Sequence, residues 1–271
     1  ENDFSKDAAI IVYSGIYDML TTPDTSAYFE TFEIIKQYEH RFPVSELQNI
    51  YNNLQNYCIR QINLGNSFFL KEVFKIYQFQ LEKGWLLIDD FLPEWHYINI
   101  VTTGLRLEEN DWVFKFIEDY KNLLKPSVVE NAYSYNLASY YYNIKQFDKV
   151  LDLLIKVEYT DIRYNLTAKA LLMRTYFDLD EEEAFLSLTV AFRQFLKRNR
   201  LISEFQKTGY YNLIKFARKV FQIKSAIGFE SKKKLREDLK KLTAETENSE
   251  GIFNQSWLEG KIEELKSELA V

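Results

Sequence analysis

Apolar residues recur at a step of 34 or 35 positions through the middle of the chain, and this periodicity constrains the fold more than any other feature. Tyr141 has Leu107 at 34 positions before it and Tyr176 at 35 positions after it. The same step joins further apolar pairs: Val113 and Phe147, Phe116 and Val150, Tyr120 and Leu154, Leu137 and Leu172, Leu154 and Leu188. Repeats of this length are typical of helix–turn–helix arrays, in which each hairpin buries its apolar face against its neighbours. The sequence therefore predicts an all-α protein.

The clearest repeat unit covers residues 127–157 and has the pattern of two amphipathic helices. Ser127 and Glu130 have the spacing of a capping box, which predicts that a helix begins there. A short polar turn is expected at 143–146. Apolar positions at helical spacing flank this turn: Ala132, Tyr135, Leu137, Ala138, Tyr141 and Tyr142 before it, and Phe147, Val150, Leu151, Leu153, Leu154 and Val157 after it. Similar hairpins are predicted at 94–124 and 162–197, the latter with Asp180 as an N-cap.

We predict three regions along the chain. Residues 1–93 form N-terminal hairpins, with helices at 4–20, 25–40, 45–64 and 67–83 and an apolar connection, 84–93, that folds back over a core edge. Residues 94–223 form the repeat region, which ends in a long helix at 202–223. Residues 224–271 form a charged linker and a C-terminal amphipathic helix, with a marginal helix and a flexible link at 246–250 before that last helix. That last helix needs a partner, which is either the open end of the array or another chain.

Composition excludes several classes of protein. Eight glycines and four prolines in 271 residues disfavour a turn-rich all-β fold. A net charge of −6 disfavours unspecific binding to a phosphate backbone, so we expect no nucleic-acid partner. The most apolar early stretch, residues 8–17, is far too short to cross a membrane.

Two smaller observations concern the cellular setting and the start of the chain. Cys58 is the one cysteine, so no disulfide can form within the chain, which suits the cytoplasm. The sequence opens at Glu1 rather than at Met, and we expect a segment upstream of it.

Residues that could carry chemistry do not form a recognisable site. Asp180–Glu183 are consecutive at a predicted helix start, where negative charge is ordinary, and consecutive helical positions do not converge on a metal ion. His40 and His96 lack any ligand spacing. Cys58 lies on an apolar stripe, as a packed thiol does. We therefore expect no catalytic residue, no metal and no cofactor.

Two basic clusters stand out against the acidic balance of the chain. One is 197–200, with three cations, and the other is Lys232–Lys234 with Arg236, Lys240 and Lys241. Solvated surface explains both clusters, and the second is interleaved with acidic residues. A local site for an acidic partner or for RNA is the alternative.

The repeat region, at about residues 94–197, resembles the tetratricopeptide repeat family and, in its general run, uncharacterised bacterial repeat proteins. Gly104 and Ala138 match the small residue of the first helix in that family, and Tyr141 and Tyr176 match the aromatic residue three positions later. Phe147 matches the aromatic residue that opens the second helix. Met173 and Glu182 depart from the pattern in the third unit. The resemblance implies a right-handed α-α superhelix.

The resemblance also implies a function, which is to bind a partner peptide or helix in the concave groove lined by the first helices. An Asn two positions before the small residue holds the peptide backbone in the family, and Asn136 has that place here. The other expected groove residues are Tyr135, Ser139, Tyr142 and Asn143, with Arg174 in the next unit. Packing of Tyr135 and Tyr142 between helices is the alternative reading.

We therefore expect a non-catalytic scaffold for protein–protein interaction. Two alternatives belong to other classes. A helical-repeat protein that reads one base per unit would show a basic inner face. An enzyme or sensor with a small ligand between helices would show a buried polar cluster.

Overall fold

The computed structural model of the chain describes residues 7–156 and 161–270, and these residues are α-helical almost throughout. They form 13 α-helices and two short 3-10 segments, with one isolated β-bridge between Ile88 and Phe91 and no strand. The all-α prediction is confirmed. The predicted helix start at Phe4 and the apolar position at Val157 lie outside the described residues.

The chain divides into two compact units, Glu1–Ile144 and Lys145–Val271. The helices of the first unit are α1 Ala8–Thr21, α2 Ser26–Tyr38, α3 Val44–Asn63, α4 Phe69–Glu82, α5 Glu94–Arg106, α6 Asn110–Tyr120 and α7 Val129–Asn143. Its 3-10 segments are Glu39–Arg41 and Lys121–Leu123. Within the unit each helix from α1 to α7 packs against the next one along the chain, and the smallest of these contacts is that between α2 and α3. Helix α5 packs against α7 as well.

The second unit contains α8 Phe147–Lys156, α9 Ile162–Asp178, α10 Glu182–Arg198, α11 Glu204–Ser225, α12 Lys232–Glu247 and α13 Gln255–Ala270. Successive helices pack against each other, and α13 contacts both α11 and α12. The division between the units falls in the turn that the sequence predicts at 143–146.

Buried aromatic rings fill the core of the first unit. Tyr28, at the centre of one cluster, has its ring centroid 5.2 Å from that of Phe69 and 5.6 Å from that of Tyr57. Tyr97 is fully buried on α5, and its hydroxyl donates to the carbonyl of Ile117 on α6 at 2.8 Å. This bond satisfies a polar group that would otherwise be costly to bury, so the ring can sit between two helices.

The connections α5–α6, α7–α8 and α9–α10 have the same length, and each has one residue in the left-handed conformation. Each first helix ends two residues before a residue with positive φ, and each second helix begins two residues after it. That residue is Glu108 (φ 61°) between α5 and α6, Lys145 (φ 59°) between α7 and α8, and Asp180 (φ 57°) between α9 and α10. A left-handed residue after a helix lets the last carbonyls accept hydrogen bonds from the turn.

Two predicted N-caps are wrong, each for a local reason. Helix α7 begins at Val129, because the carbonyl of Lys125 accepts bonds from the amides of Val128 and Val129, and Ser127 lies inside that turn rather than at the cap. Asp180 does not cap α10, since it takes the left-handed position and pairs with Lys224.

The helix predicted at 45–64 begins one residue earlier, at Val44. Ser45 lies in its first turn and does not cap it, because Pro43 is at the N-cap and its carbonyl accepts bonds from the amides of Glu46 and Leu47.

A complete capping box does form, at the start of α11. The hydroxyl of Ser203 accepts from the amide of Gln206 at 3.2 Å, and the side chain of Gln206 accepts from the amide of Ser203 at 3.3 Å. This box lies at the start of a 22-residue helix whose buried residues include Tyr210, Leu213 and Phe216.

The C-terminal helix finds its partner within its own unit. The ring of Trp257 on α13 lies edge-on to that of Phe177 on α9, with centroids 5.3 Å apart. Lys261 forms an ion pair with Asp178 at 2.9 Å, and both side chains are largely buried. Of the two partners that the sequence leaves open, the structure therefore shows contact with the chain itself.

The link before α13 is also packed, and the predicted flexible link at 246–250 is wrong. Thr246 is buried within α12. The side-chain amide of Asn212 donates to the carbonyl of Glu250 at 3.2 Å. Phe253 lies over Gly209, where an added Cβ would stand 2.7 Å from the Phe253 ring. The glycine therefore lets the link approach the backbone of α11 closely.

Candidate functional site

Five of the six residues predicted to line a groove lie on α7 in the first unit. Tyr135, Ser139 and Tyr142 are half-buried at positions that share one face of the helix, and Asn143 is exposed at its end. The Ser139 hydroxyl donates to the carbonyl of Tyr135 at 2.9 Å. The Asn143 amide donates to the side chain of Asn110 at 2.9 Å, which joins the end of α7 to the start of α6.

Asn136 occupies a buried position. Its side chain is 1% exposed, and its amide nitrogen donates to the carbonyl of Ala132 at 2.7 Å. Its Oδ1 atom is also buried, without a hydrogen-bond partner among the described residues. In this arrangement the side chain bonds within its own helix, and the groove role of Asn136 stays a prediction.

Arg174, the sixth predicted residue, lies on α9 in the second unit. Its guanidinium donates to the side chain of Asn254 at 2.7 Å and lies 6.0 Å from the ring centroid of Trp257. The residue therefore supports the packing of the segment that leads into α13.

An apolar cleft that the sequence does not single out lies in the first unit, at the N-terminal ends of α5 and α7. Its volume is about 180 Å³. The two ends meet there because α5 and α7 pack against each other. The lining residues are Ile88, Phe91, Leu92, Pro93, Glu94, Trp95, Lys125 and Val128.

Two large apolar side chains at this cleft are about half exposed. Trp95 is 53% exposed and Ile88 is 49% exposed. Further along α5, Ile98, Thr102 and Leu105 continue the stripe that begins at Trp95, since they follow at helical spacing and are at least partly exposed. The exposed surface therefore extends from the cleft along the helix.

A tight turn forms one wall of the cleft. The amide of Ile88 donates to the carbonyl of Phe91 at 2.8 Å, and the reverse bond measures 3.0 Å. The two residues between them, Asp89 and Asp90, both have positive φ, 51° and 65°. Asp tolerates this conformation better than most residues, and the turn holds Ile88 and Phe91 side by side. The sequence prediction that 84–93 folds back over a core edge is confirmed by Leu86 and Leu92, which are buried.

The charges around the cleft are few. Lys125 lies with its ammonium 5.9 Å from the ring centroid of Phe91, and Glu94 is the acidic residue in the lining. His96 follows Trp95 on α5, and burial lowers the pKa of its imidazole. His96 is not among the residues that line the cleft, so it adds nothing to the charge of the lining.

Residues that could carry chemistry elsewhere are in ordinary settings. Cys58 is fully buried, and burial raises the pKa of its thiol to about 12. Within residues 7–156 and 161–270, no group of three or more His, Cys, Asp or Glu residues is arranged to hold a metal ion. In the same residues no helix combines the length and apolar character that a membrane span requires.

The second basic cluster makes contacts within the second unit. Lys234 pairs with Glu230 at 2.7 Å. The Arg236 guanidinium donates to the carbonyl of Leu269 at the end of α13, with an Nε–O distance of 2.8 Å. These contacts support the solvated-surface interpretation for this cluster.

Comparison of the chain with models of protein families, with curated proteins and with solved structures gave no match.

Proposed function

We propose that the chain is a non-catalytic module for protein–protein interaction, built as a tetratricopeptide-like right-handed superhelix. The connections at Glu108, Lys145 and Asp180 support this array, because equal length and a left-handed residue at the same place are what a structural repeat produces. Gly104 supports it further. A Cβ at this position would lie within 3.0 Å of Cγ2 of Val113, so α5 and α6 approach closely at the small position of the family.

The exposed apolar surface on α5 carries the proposal of binding. Large contiguous apolar patches on protein surfaces mark interaction sites, and Trp is among the residue types enriched at positions that dominate binding energies. Trp95 and Ile88 flank the cleft, and the predicted groove residues Tyr135, Ser139 and Tyr142 lie on the adjacent helix α7.

The size of the cleft indicates what it binds. Sites for drug-sized ligands and cofactors measure roughly 300–1,000 Å³, and this cleft measures about 180 Å³. It therefore suits one anchoring side chain better than a whole cofactor. We assign to it a leucine-sized or phenylalanine-sized side chain of a partner peptide or amphipathic helix, whose remaining residues lie along α5 and α7. A cytoplasmic setting belongs to the same proposal, since Cys58 is a buried thiol.

A capture experiment with a site-specific crosslinker tests this function. The chain would carry a photoreactive phenylalanine derivative at Ile98, and crosslinked partners from host lysate would be identified by mass spectrometry. We expect a specific crosslinked protein whose yield falls strongly in the variant Trp95→Ala/Ile88→Ser.

The matched control is Phe229→Ala, which removes an aromatic side chain that is 90% exposed in the second unit. Circular dichroism would establish that all the variants fold. The proposal is refuted if the cleft variant and the control capture the same proteins in equal yield, or if the parent chain yields no specific crosslink.

A further inference from the structure

We propose that the second unit contains a separate cationic cleft that binds a short acidic peptide segment. The cleft lies where α10 ends, against the middle of α9, and has a volume of about 660 Å³. Lys169 enters it from α9, Gln194, Phe195 and Arg198 from one face of α10, and Arg200 from the residues that follow. This site goes beyond the function proposed for α5 and α7, and its test uses different residues.

The charge of the lining is one-sided. Lys169, Arg198 and Arg200 are the charged residues among those that line the cleft, and no acidic side chain is among them. Over the described ranges, ion pairs within 4.0 Å involve many other cations, such as Lys261 with Asp178, but none involves these three. A local excess of positive charge is notable in a chain whose net charge is −6.

The position of Lys169 distinguishes this cluster from ordinary surface charge. Its ammonium lies 5.2 Å from the ring centroid of Phe195. Burial lowers the pKa of Lys169, and no neighbouring carboxylate offsets that effect. A cation in this state gains more from a bound anion than a fully solvated lysine does.

Stabilisation of the helix end accounts for only part of the cluster. Cations in the last turn of a helix interact favourably with its dipole, and this explains Lys197 and Arg198 at the end of α10. Lys169 lies in the middle of α9 and Arg200 lies beyond α10, so neither gains from that effect. Their convergence with Arg198 on one cleft needs another reason.

The shape and surroundings of the cleft favour a peptide over other anions. Its volume is within the range of roughly 300–1,000 Å³ for small-ligand sites, which is far more than one isolated phosphate would fill. Its lining includes the half-buried ring of Phe195 and the exposed amide of Gln194, which suit an apolar side chain and a peptide group. A long nucleic acid would meet the net negative charge of the chain beyond this one cleft. We therefore assign glutamate or aspartate carboxylates to Arg198, Arg200 and Lys169.

Fluorescence anisotropy with the full chain tests the assignment. The probe is a fluorescein-labelled peptide with two glutamates on each side of a leucine, and the comparison peptide has glutamines in place of the glutamates. We expect the glutamate peptide to bind, with an affinity that falls as salt rises. Loss of a charge-assisted contact should weaken it about tenfold in Lys169→Met and again in Arg200→Gln.

The control variant is Lys232→Met/Lys233→Gln, which removes exposed cations from the start of α12 and should leave the affinity unchanged. Because Arg200 is exposed outside the helices, Arg200→Gln keeps the test valid if Lys169→Met disturbs the fold. Equal binding of the glutamine peptide, or an equal loss in the control, overturns the site. Displacement of the peptide by millimolar inorganic phosphate, or tighter binding of a twelve-nucleotide single strand, overturns the assignment to a peptide.

Discussion

Replacement of Gly104 by alanine should destabilise the first unit, although alanine is the better helix former. A Cβ at this position would lie within 3.0 Å of Cγ2 of Val113 and 3.2 Å from the ring of Phe74, whereas ordinary contacts begin at 3.4 Å. Val113 is fully buried and β-branched, so it cannot rotate away easily. Overpacking of this kind costs roughly 1–3 kcal/mol. The gain in helix propensity is at most about 1 kcal/mol, and smaller here because Gly104 lies in the last turn of α5.

With a propensity gain of about 0.5 kcal/mol at that position, the expected net effect is a loss of roughly 0.5–2.5 kcal/mol in the free energy of unfolding. A double-mutant cycle with Val113→Ala identifies the cause. Val113→Ala alone should cost roughly 1.5–3 kcal/mol through lost burial and a cavity. In the double variant the new methyl group occupies the space that Val113→Ala frees. The stability lost in the double variant should therefore be smaller than the sum of the two single losses by about 1 kcal/mol or more.

Urea unfolding followed by circular dichroism measures these differences. Tryptophan fluorescence assigns each transition, since Trp85, Trp95 and Trp112 lie in the first unit and Trp257 in the second. Gly260→Ala is the matched control, because nothing lies within 4 Å of a Cβ at that helical position. It should stabilise the second unit by up to about 1 kcal/mol. If Gly104→Ala stabilises the chain as the control does, or if its effect and that of Val113→Ala simply add, the close approach of α5 and α6 is refuted.

Three further predictions concern a cap, the core and a buried imidazole. Ser203→Ala should lower the free energy of unfolding by about 1 kcal/mol, whereas Ser127→Ala should change it by less than about 0.5 kcal/mol. Thermal melting midpoints of the two variants measure the difference. A larger loss in Ser127→Ala than in Ser203→Ala would contradict the observed caps. Leu137→Ala should lower the free energy of unfolding, measured with urea, by roughly 2–5 kcal/mol. An unchanged free energy would contradict the burial of Leu137. Burial lowers the pKa of His96 from its ordinary value of 6.5, so the unfolded chain takes up the proton first and stability falls as the pH drops below that value. His96→Gln should reduce this dependence, and an unchanged slope would refute the contribution of His96.

Helical periodicity predicts most of the elements because burial on one face leaves a repeating pattern in the sequence. Phe116 and Val150, which stand one repeat apart, are both buried where that pattern places them. Helix starts are less predictable, because a hydroxyl at the right spacing competes with the local turn. Ser127 loses that competition to the carbonyl of Lys125, whereas Ser203 caps its helix.

The turns and the clefts are harder to predict from the sequence. Glycine is the usual residue at a left-handed position, but Glu108, Lys145 and Asp180 take that conformation here, so no glycine marks the repeat. Trp95 and Val128 meet only because α5 packs beside α7, and Lys169 and Arg198 only because α9 pairs with α10. Such contacts depend on which helices are neighbours, which periodicity alone does not specify.

The order of helix packing has a consequence for the way the chain acquires its structure. The helix pairs that form the first unit are neighbours or next neighbours along the chain. Contacts of short sequence separation close small loops and form quickly. Since synthesis proceeds from the N-terminus, the first 144 residues contain a complete core before α9 to α13 have been made. We therefore expect the first unit to fold on the ribosome during translation, so that Trp95 and the apolar cleft beside it are formed while the second unit is still being synthesised.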